Sequence, residues 1–230
     1  MKYILFLLIT LISLNADSYI FSGGKTNTAH FIAKEILTKA YTKANIPVSF
    51  KLLNLQESLQ KSNAGIYDGE ISRIKDINKH YTNLRIIPIS TIEIQAVAFS
   101  KNKKSIINSY ADLEGKNFAI VRGAKFIETA TKDYAKTYKK NFYEALESLN
   151  NNEIDIIVCP KLAALSIIYK KKYTNIHIVS QSLQNVKLYH FVHKKNTHLI
   201  PIITPILQQM QKSKELEYIK QKFLRQLIVR

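Results

Sequence analysis

The stretch Gly65-Ile-Tyr-Asp-Gly-Glu-Ile-Ser-Arg73 decides how the rest of the chain is interpreted. Its glycine turn is followed by a β-prone run, which predicts a strand over residues 66–71. The far end of this strand carries Glu70, Ser72 and Arg73, and we expect it to present these polar side chains to a cleft. We therefore interpret the rest of the chain as two lobes built around that cleft.

The chain on either side of this strand alternates β-prone runs with apolar residues at helical spacing. Thr26 or Asn27 is placed to cap a helix that carries Phe31, Ile36 and Tyr41. The strand–helix–strand–helix–strand order predicts an α/β fold with a parallel-rich sheet and helices on both faces. Besides 66–71, the first half is predicted to contain strands over 18–22, 48–53, 84–89 and 93–100, and a short helix over 54–59.

The pattern restarts after Tyr110. The predicted strands are 118–121, 154–158, 176–179 and 186–192, and the predicted helices are 123–138, 142–149, 162–169, 199–210 and 216–227. The runs 93–100 and 186–192 are interpreted as two strands that cross between the lobes and act as a hinge. The predicted division is a first lobe over residues 17–96 and 190–230, and a second lobe over residues 97–189.

The first sixteen residues have the pattern of a secretory signal peptide. Lys2 precedes an apolar run from Ile4 to Leu14, and Ala16 is a small residue suited to cleavage before Asp17. The alternative is a membrane anchor, but the apolar run is shorter than the roughly 20 residues that a spanning helix needs. No cysteine follows the run, so there is no lipoprotein attachment site. We therefore expect export to the periplasm.

The composition limits the other classes of function. The formal net charge of +17 attracts anions in general, but the lysines are scattered and no recognised nucleic-acid module accompanies them, so a lysine-rich solvated surface and no nucleic-acid partner are expected. The single cysteine, Cys159, excludes an intramolecular disulfide and a cysteine-based metal site, and it is expected to pack as a small apolar group. The six histidines lack paired metal-ligand spacing. We expect a monomer without catalytic residues, metal or cofactor.

Ligands of open parallel sheets bind beyond the carboxyl ends of the strands. This rule selects the segments that follow the predicted strands, and the two sets of residues are expected to face each other across the cleft. The first half contributes Ser22, Gly23, Lys25, Glu70, Ser72, Arg73 and Ser90, and the second half contributes Arg122, Gly123, Ala124, Lys125, Phe126 and Pro160.

Three of these positions allow two interpretations each. Arg73 can form a bidentate pair with a carboxylate ligand, or it can brace Asp68 or Glu70 internally. Glu70 can meet a ligand ammonium or serve as a structural acceptor. The helix start at Gly123 offers backbone N–H donors and a favourable dipole to an anion, with Arg122 beside it, or it simply forms a tight turn.

Several motifs resemble the bacterial extracellular solute-binding proteins of family 3, which include the periplasmic amino-acid-binding proteins. Asp112-Leu-Glu-Gly-Lys-Asn-Phe-Ala-Ile-Val-Arg-Gly123 is similar to the family's second-lobe opening, "DLxGKxxAVxxG". Glu153-Ile-Asp-Ile-Ile-Val158 is similar to its "GxVDAVV" strand. The helix–turn–strand closed by Asp68 and the terminal helix pair also fit. The resemblance implies the two-lobed, type II periplasmic-binding-protein-like fold, closing on a small solute at a hinge.

The resemblance also implies delivery of the solute to an ABC-type permease or a membrane sensor. This chain departs from the family's amino-acid pocket at three positions. His80 stands where an arginine usually clamps the ligand carboxylate, Pro160 where an aspartate usually holds the ammonium, and Ala124 where the family has Thr or Ser.

The leading hypothesis is a periplasmic solute-binding protein, not an enzyme, for a small anionic or zwitterionic metabolite. The first alternative is an enzyme on the same scaffold, similar to the family's dehydratases and using Glu70 or His80. The second is a ligand-sensing module that docks on a membrane receptor through its basic surface.

Overall fold

The computed structural model describes residues 18–228, so the predicted signal peptide over residues 1–16 lies outside the described residues. Within 18–228 the chain forms one mixed nine-stranded sheet with seven α-helices. The first half contains β1 Tyr19–Gly24, α1 Thr28–Lys43, β2 Val48–Leu53, α2 Leu55–Asn63, β3 Gly69–Ile74 and β4 Leu84–Ser100. The second half contains β5 Phe118–Val121, α3 Lys125–Ala130, β6 Thr137–Lys139, α4 Phe142–Asn150, β7 Ile156–Pro160, α5 Lys161–Lys171, β8 His177–Ile178, β9 Gln184–His193, α6 Leu199–Lys212 and α7 Glu215–Ile228.

The strand order is β2-β1-β3-β9-β4-β7-β5-β6, with β8 paired to β4. The strands β1, β2 and β3 run parallel to one another, and so do β5, β6 and β7. The long strands β4 and β9 lie between the two parallel groups and run antiparallel to each other. The sheet therefore has the two-lobed α/β organisation that the sequence predicted, while the lobe boundaries 17–96 with 190–230 and 97–189 stay a prediction.

The strand predicted over residues 66–71 begins three residues later than predicted. β3 starts at Gly69, where φ is +154° and an added Cβ would lie 2.0 Å from the Phe191 carbonyl oxygen. Residues 66–68 form a turn, which Asp68 fixes by accepting from the Ile20 N–H at 2.8 Å. The prediction for residues 66–71 is wrong in its boundaries because the close approach of β9 sets the start of pairing. Glu70, Ser72 and Arg73 therefore lie inside the strand.

A pairing irregularity in β3 allows two side chains to meet. The register with β9 shifts between Glu70 and Arg73. In a regular strand residues three apart point to opposite faces, so the irregularity is what lets this pair form an ion pair.

The larger of the other differences concern α3 and β4, while α2, α5, β7 and β9 differ from their predicted bounds by one to four residues at an end. The helix predicted over 123–138 ends at Ala130, because the chain leaves the helix to join the sheet edge as β6, beside β5. The two strands predicted over 84–89 and 93–100 are one strand of 17 residues. Its pairing with β9 shifts near Ser90. Among residues 18–228 no helix is both long and apolar enough to cross a bilayer.

Candidate functional site

A cavity of about 30 Å³ lies between the two parallel groups of strands. A water molecule needs about 10–15 Å³ of such space, so the cavity holds about two water-sized groups. The first half lines it mainly through β3 and α1, and the second half through the segment that follows β5. Seven of the predicted site residues line the cavity: Ser72, Arg73, Gly123, Ala124, Lys125, Phe126 and Pro160.

Arg73 is buried at the centre of this site and bonds to both halves of the molecule. Its Nε donates to Glu70 Oε2 at 2.8 Å, and its terminal nitrogens donate to the carbonyl oxygens of Leu55 at 2.7 Å and Gly123 at 3.3 Å. The internal brace is thus present, and it is made with Glu70. Asp68 instead bonds Ile20, Asn196 and Lys195.

Glu70 is fully buried and is satisfied by the protein itself. Its second oxygen, Oε1, accepts from the Ser58 hydroxyl at 2.6 Å. The Ser22 hydroxyl lies behind, 2.8 Å from both Ser58 Oγ and Ser62 Oγ. Burial raises the pKa of the Glu70 carboxyl, while the charge and hydrogen bond of Arg73 act in the opposite direction. In this structure Glu70 has the geometry of a structural acceptor.

Gly123 brings the second half into direct contact with the first. Its φ is +90°, and an added Cβ would lie 2.5 Å from the Gln56 backbone nitrogen and 2.8 Å from the Leu55 carbonyl carbon. The predicted anion site at this helix start is occupied by the protein's own carboxylate. Glu128 Oε1 accepts from the Gly123 N–H at 2.6 Å, and Glu128 Oε2 accepts from Lys125 Nζ at 2.6 Å.

Six predicted site residues lie away from the cavity. Arg122 is exposed, with its guanidinium carbon 4.3 Å from the centre of the Tyr138 ring, so it does not face Arg73. Gly23 packs against His30 and Ile71. Ser22 and Glu70 belong to a buried hydrogen-bonded cluster with Ser58 and Ser62, and Lys25 and Ser90 line separate surface depressions.

Sequence reasoning missed part of the lining, including His30 on α1. His30 Nδ1 accepts from the Gly24 N–H at 2.8 Å, and burial together with the Arg73 charge holds the pKa of His30 well below its usual range. The Asn27 cap was a usable signal, because it fixes the first turn of α1 at the end of β1 and so places His30 near the strand ends. The remaining missed residues are Asn27, Leu55, Ile74, Ile77, Ile94, Phe142 and Leu188.

One lining side chain has an unmet hydrogen-bonding requirement. Ser72 is fully buried, and its hydroxyl has no hydrogen-bond partner among residues 18–228. A buried polar group left in this state costs about 1–3 kcal/mol. Such a cost is tolerated at a site where another molecule supplies the partner, and Ser72 lies on the cavity wall beside Arg73.

Solved structures with the same two-lobed architecture identify the fold. A histidine kinase sensor domain with similarity to periplasmic binding proteins superimposes with a TM-score of 0.77, 17% identity, and coverage of 90% of this chain and 96% of that chain. The chain has the periplasmic-binding-protein fold. An ancestral arginine-binding protein bound to arginine matches at a TM-score of 0.76 and 19% identity, with 90% and 97% coverage.

A third protein with the periplasmic-binding-protein fold is the arginine-, lysine-, histidine-binding protein ArtJ from the thermophilic bacterium Geobacillus stearothermophilus. It matches at a TM-score of 0.75 and 13% identity, with 90% and 95% coverage. No protein-family model matches the sequence, and no curated protein matches it. The predicted resemblance in fold to the solute-binding proteins of family 3 is confirmed.

Proposed function

We propose that this chain is a periplasmic solute-binding protein that captures a small anionic or zwitterionic metabolite between its two halves. The observation that carries the proposal is Arg73, a buried cation on the cavity wall that donates to Leu55 in one half and to Gly123 in the other. A ligand that meets this guanidinium lies in a cavity lined by residues of both halves. Its binding energy is therefore available to hold the halves together.

The cavity seen here is smaller than most metabolites. About 30 Å³ accommodates only a few atoms, so a larger ligand requires the halves to stand further apart than they do in this structure. The crossing strands β4 and β9 connect the two halves and are the natural hinge. In this proposal the lobes follow the predicted boundaries, and the exported monomer passes its ligand to an ABC-type permease.

A broad binding screen on the purified protein tests this function. Amino acids, 2-oxo acids, short carboxylic acids and inorganic anions are added singly, and the midpoint of thermal unfolding is recorded. A ligand at 100 times its Kd stabilises the folded state by about 2.7 kcal/mol. Native mass spectrometry of the freshly purified protein reports any metabolite that copurifies. A shift with one class, or a copurified metabolite, supports the proposal; no shift with any class and no retained metabolite would contradict it.

A ligand-sensing role is the second candidate, favoured by the structural similarity to a kinase sensor domain. Capture of one membrane receptor by the exported protein, in a manner that weakens with salt and not with changes in the cleft, would favour the sensor over the transporter. The enzyme alternative has weaker support, since the named solved structures are binding and sensor proteins. In addition, Glu70 is sealed behind Arg73, and His80 is exposed at the end of the 3₁₀ helix Lys75–Lys79.

A further inference from the structure

The polar groups that line the cavity are nearly all hydrogen-bond donors. A guanidinium has five N–H groups. Three of those of Arg73 bond to protein acceptors, and the other two have no acceptor among the described residues. The Lys125 ammonium adds a second cationic donor, bonded on one side to Glu128. Neither group can accept a hydrogen bond from a ligand.

Apart from Ser72, the lining side chains that could accept a hydrogen bond already do so, and so do two of the backbone carbonyls. Asn27 Oδ1 caps α1 by accepting from the Ala29 N–H at 3.1 Å, which leaves the amide NH₂ of Asn27 as a donor. His30 Nδ1 accepts from Gly24, so the neutral ring carries its proton on Nε2. The Gly123 carbonyl accepts from Arg73, and the Ala124 carbonyl accepts from the N–H groups of Ile127 and Glu128. The Ser72 hydroxyl can donate or accept.

Within the described part of the chain, no Asp or Glu lines this cavity. The two carboxylates that bond to lining residues, Glu70 and Glu128, have both of their oxygens engaged inside the protein. An α-ammonium group brings three donors and a positive charge, and burying it here without acceptors carries a large desolvation cost. A carboxylate brings only acceptors and suits the same wall.

The rest of the wall is apolar and suits a hydrocarbon body. It comes from both halves of the molecule, so an apolar group would be covered from two sides. The apolar lining residues are Leu55, Ile74, Ile77, Ile94, Ala124, Phe126, Phe142, Pro160 and Leu188.

These observations narrow the ligand of the proposed function, on which this inference rests. We infer that the cleft takes a small carboxylate with an apolar body and without an ammonium group, such as a short-chain or 2-oxo acid, in preference to an α-amino acid. Arg73 and the Ser72 hydroxyl receive the carboxylate, and the apolar wall receives the side chain.

Two carboxylates lie in a surface depression next to the cavity. The depression shares Ile74 and Phe126 with the cavity and contains Asp76 and Glu93. A ligand that reached across would find carboxylates for an ammonium there. A clear preference for amino acids would therefore indicate that the ligand extends into this depression.

The test is calorimetric titration of the wild-type protein with matched pairs of ligands that differ at one group. The pairs are 4-methyl-2-oxopentanoate with leucine, 3-methyl-2-oxobutanoate with valine and phenylpyruvate with phenylalanine; acetate, sulfate, phosphate and nitrate complete the panel. The expected result is at least about tenfold tighter binding of the 2-oxo acid in one or more pairs. Tighter binding of the amino acids would overturn the inference and leave the proposed function standing. Binding of inorganic anions alone would also overturn it, and so would the absence of binding by every 2-oxo acid in the panel; the broad metabolite screen described above decides the proposed function separately.

A pair of variants tests the placement of the carboxylate. Ser72→Ala removes the unpartnered hydroxyl on the wall, and Thr204→Val removes another buried, unpartnered hydroxyl, on α6 and away from the lining. We expect Ser72→Ala to weaken binding of 4-methyl-2-oxopentanoate about tenfold, as for a lost hydrogen bond to a charged group, and Thr204→Val to leave it unchanged. Equal effects of the two variants would overturn the placement.

Discussion

The Arg73 guanidinium of β3 donates a hydrogen bond to the Gly123 carbonyl oxygen, 50 residues away and in the other half of the molecule, at 3.3 Å. The same guanidinium is fixed from behind by Glu70 at 2.8 Å. A buried ion pair in one half thus positions the donor that touches the second half. Arg73 thus makes one of the polar contacts between the halves, beside that of Thr28 with Ser166, and it is also the proposed ligand contact.

Gly123→Ala is expected to prevent the two halves from approaching as closely as they do here. The added Cβ would collide with backbone atoms of Leu55 and Gln56, which cannot move independently of α2. The proposed ligand needs the halves further apart than they stand here, so a smaller population of the close approach leaves more molecules able to bind, and ligand affinity is expected to rise by up to about tenfold. Calorimetry measures the affinity, and small-angle X-ray scattering measures the expected increase in radius of gyration.

Gly115→Ala is the matched control for this change. Gly115 has a similar positive φ of +69°, but no atom lies within 4 Å of the position of an added Cβ. Both variants carry backbone strain of about 1–2 kcal/mol, and only Gly123→Ala carries the collision. Equal affinities and equal radii for the two variants would show that the contact at Gly123 does not limit closure.

Glu70→Gln is expected to destabilise the fold, because it leaves the buried Arg73 charge without its counter-charge. Breaking a buried pair from one side costs about 3–5 kcal/mol. For a chain of this size each 1 kcal/mol lowers Tm by roughly 2–4 °C. Urea denaturation gives the free energy of unfolding. Glu57→Gln, which breaks an exposed pair with Lys61, is the control and should leave that free energy unchanged.

Buried His190 predicts a loss of stability in weak acid. Its Nδ1 bonds the Glu70 carbonyl oxygen at 2.7 Å and its Nε2 bonds the Tyr41 hydroxyl at 2.9 Å, and burial lowers its pKa to about 4. The unfolded chain takes up the proton below a pKa of about 6.5, whereas the folded chain does not until about 4. Stability attributable to His190 is thus full above pH 6.5 and is lost as the pH falls towards 4.

The contribution of His190 to stability can be measured without reaching strongly acidic conditions. Between pH 7 and pH 5, proton uptake by this histidine in the unfolded chain lowers the free energy of unfolding by about 2 kcal/mol. His30 also has a lowered pKa and acts in the same direction, so the comparison that isolates His190 is wild type against His190→Gln. The variant should lose less stability over this interval. An identical pH dependence in both proteins would contradict the prediction.

The fold and parts of the site were predictable from local pattern. The strands β2 and β5 begin and end where predicted, and Asn27 caps α1 as one of the two predicted candidates. These features depend on residues within a few positions of each other. The placement of Ser72, Arg73 and Gly123 on one cavity also followed from the rule that ligands meet strand ends.

The remaining features depend on contacts between distant parts of the chain. β3 starts at Gly69 because Phe191 lies against it, more than 100 residues later in the sequence. Arg122 turns to Tyr138 because β6 joins the sheet beside β5, where a longer helix was predicted. No local pattern distinguishes these arrangements from their alternatives.

Binding of a small carboxylate between the two halves is tested most directly by a single introduced tryptophan. The sequence contains no tryptophan, so Phe126→Trp on the cavity wall and Tyr218→Trp on exposed α7 each give one reporter. We expect 4-methyl-2-oxopentanoate either to change the tryptophan emission of Phe126→Trp in a saturable way or to bind that variant too weakly for calorimetry to detect. The tryptophan emission of Tyr218→Trp should not change. Wild-type affinity in Phe126→Trp together with unchanged emission would contradict the claim.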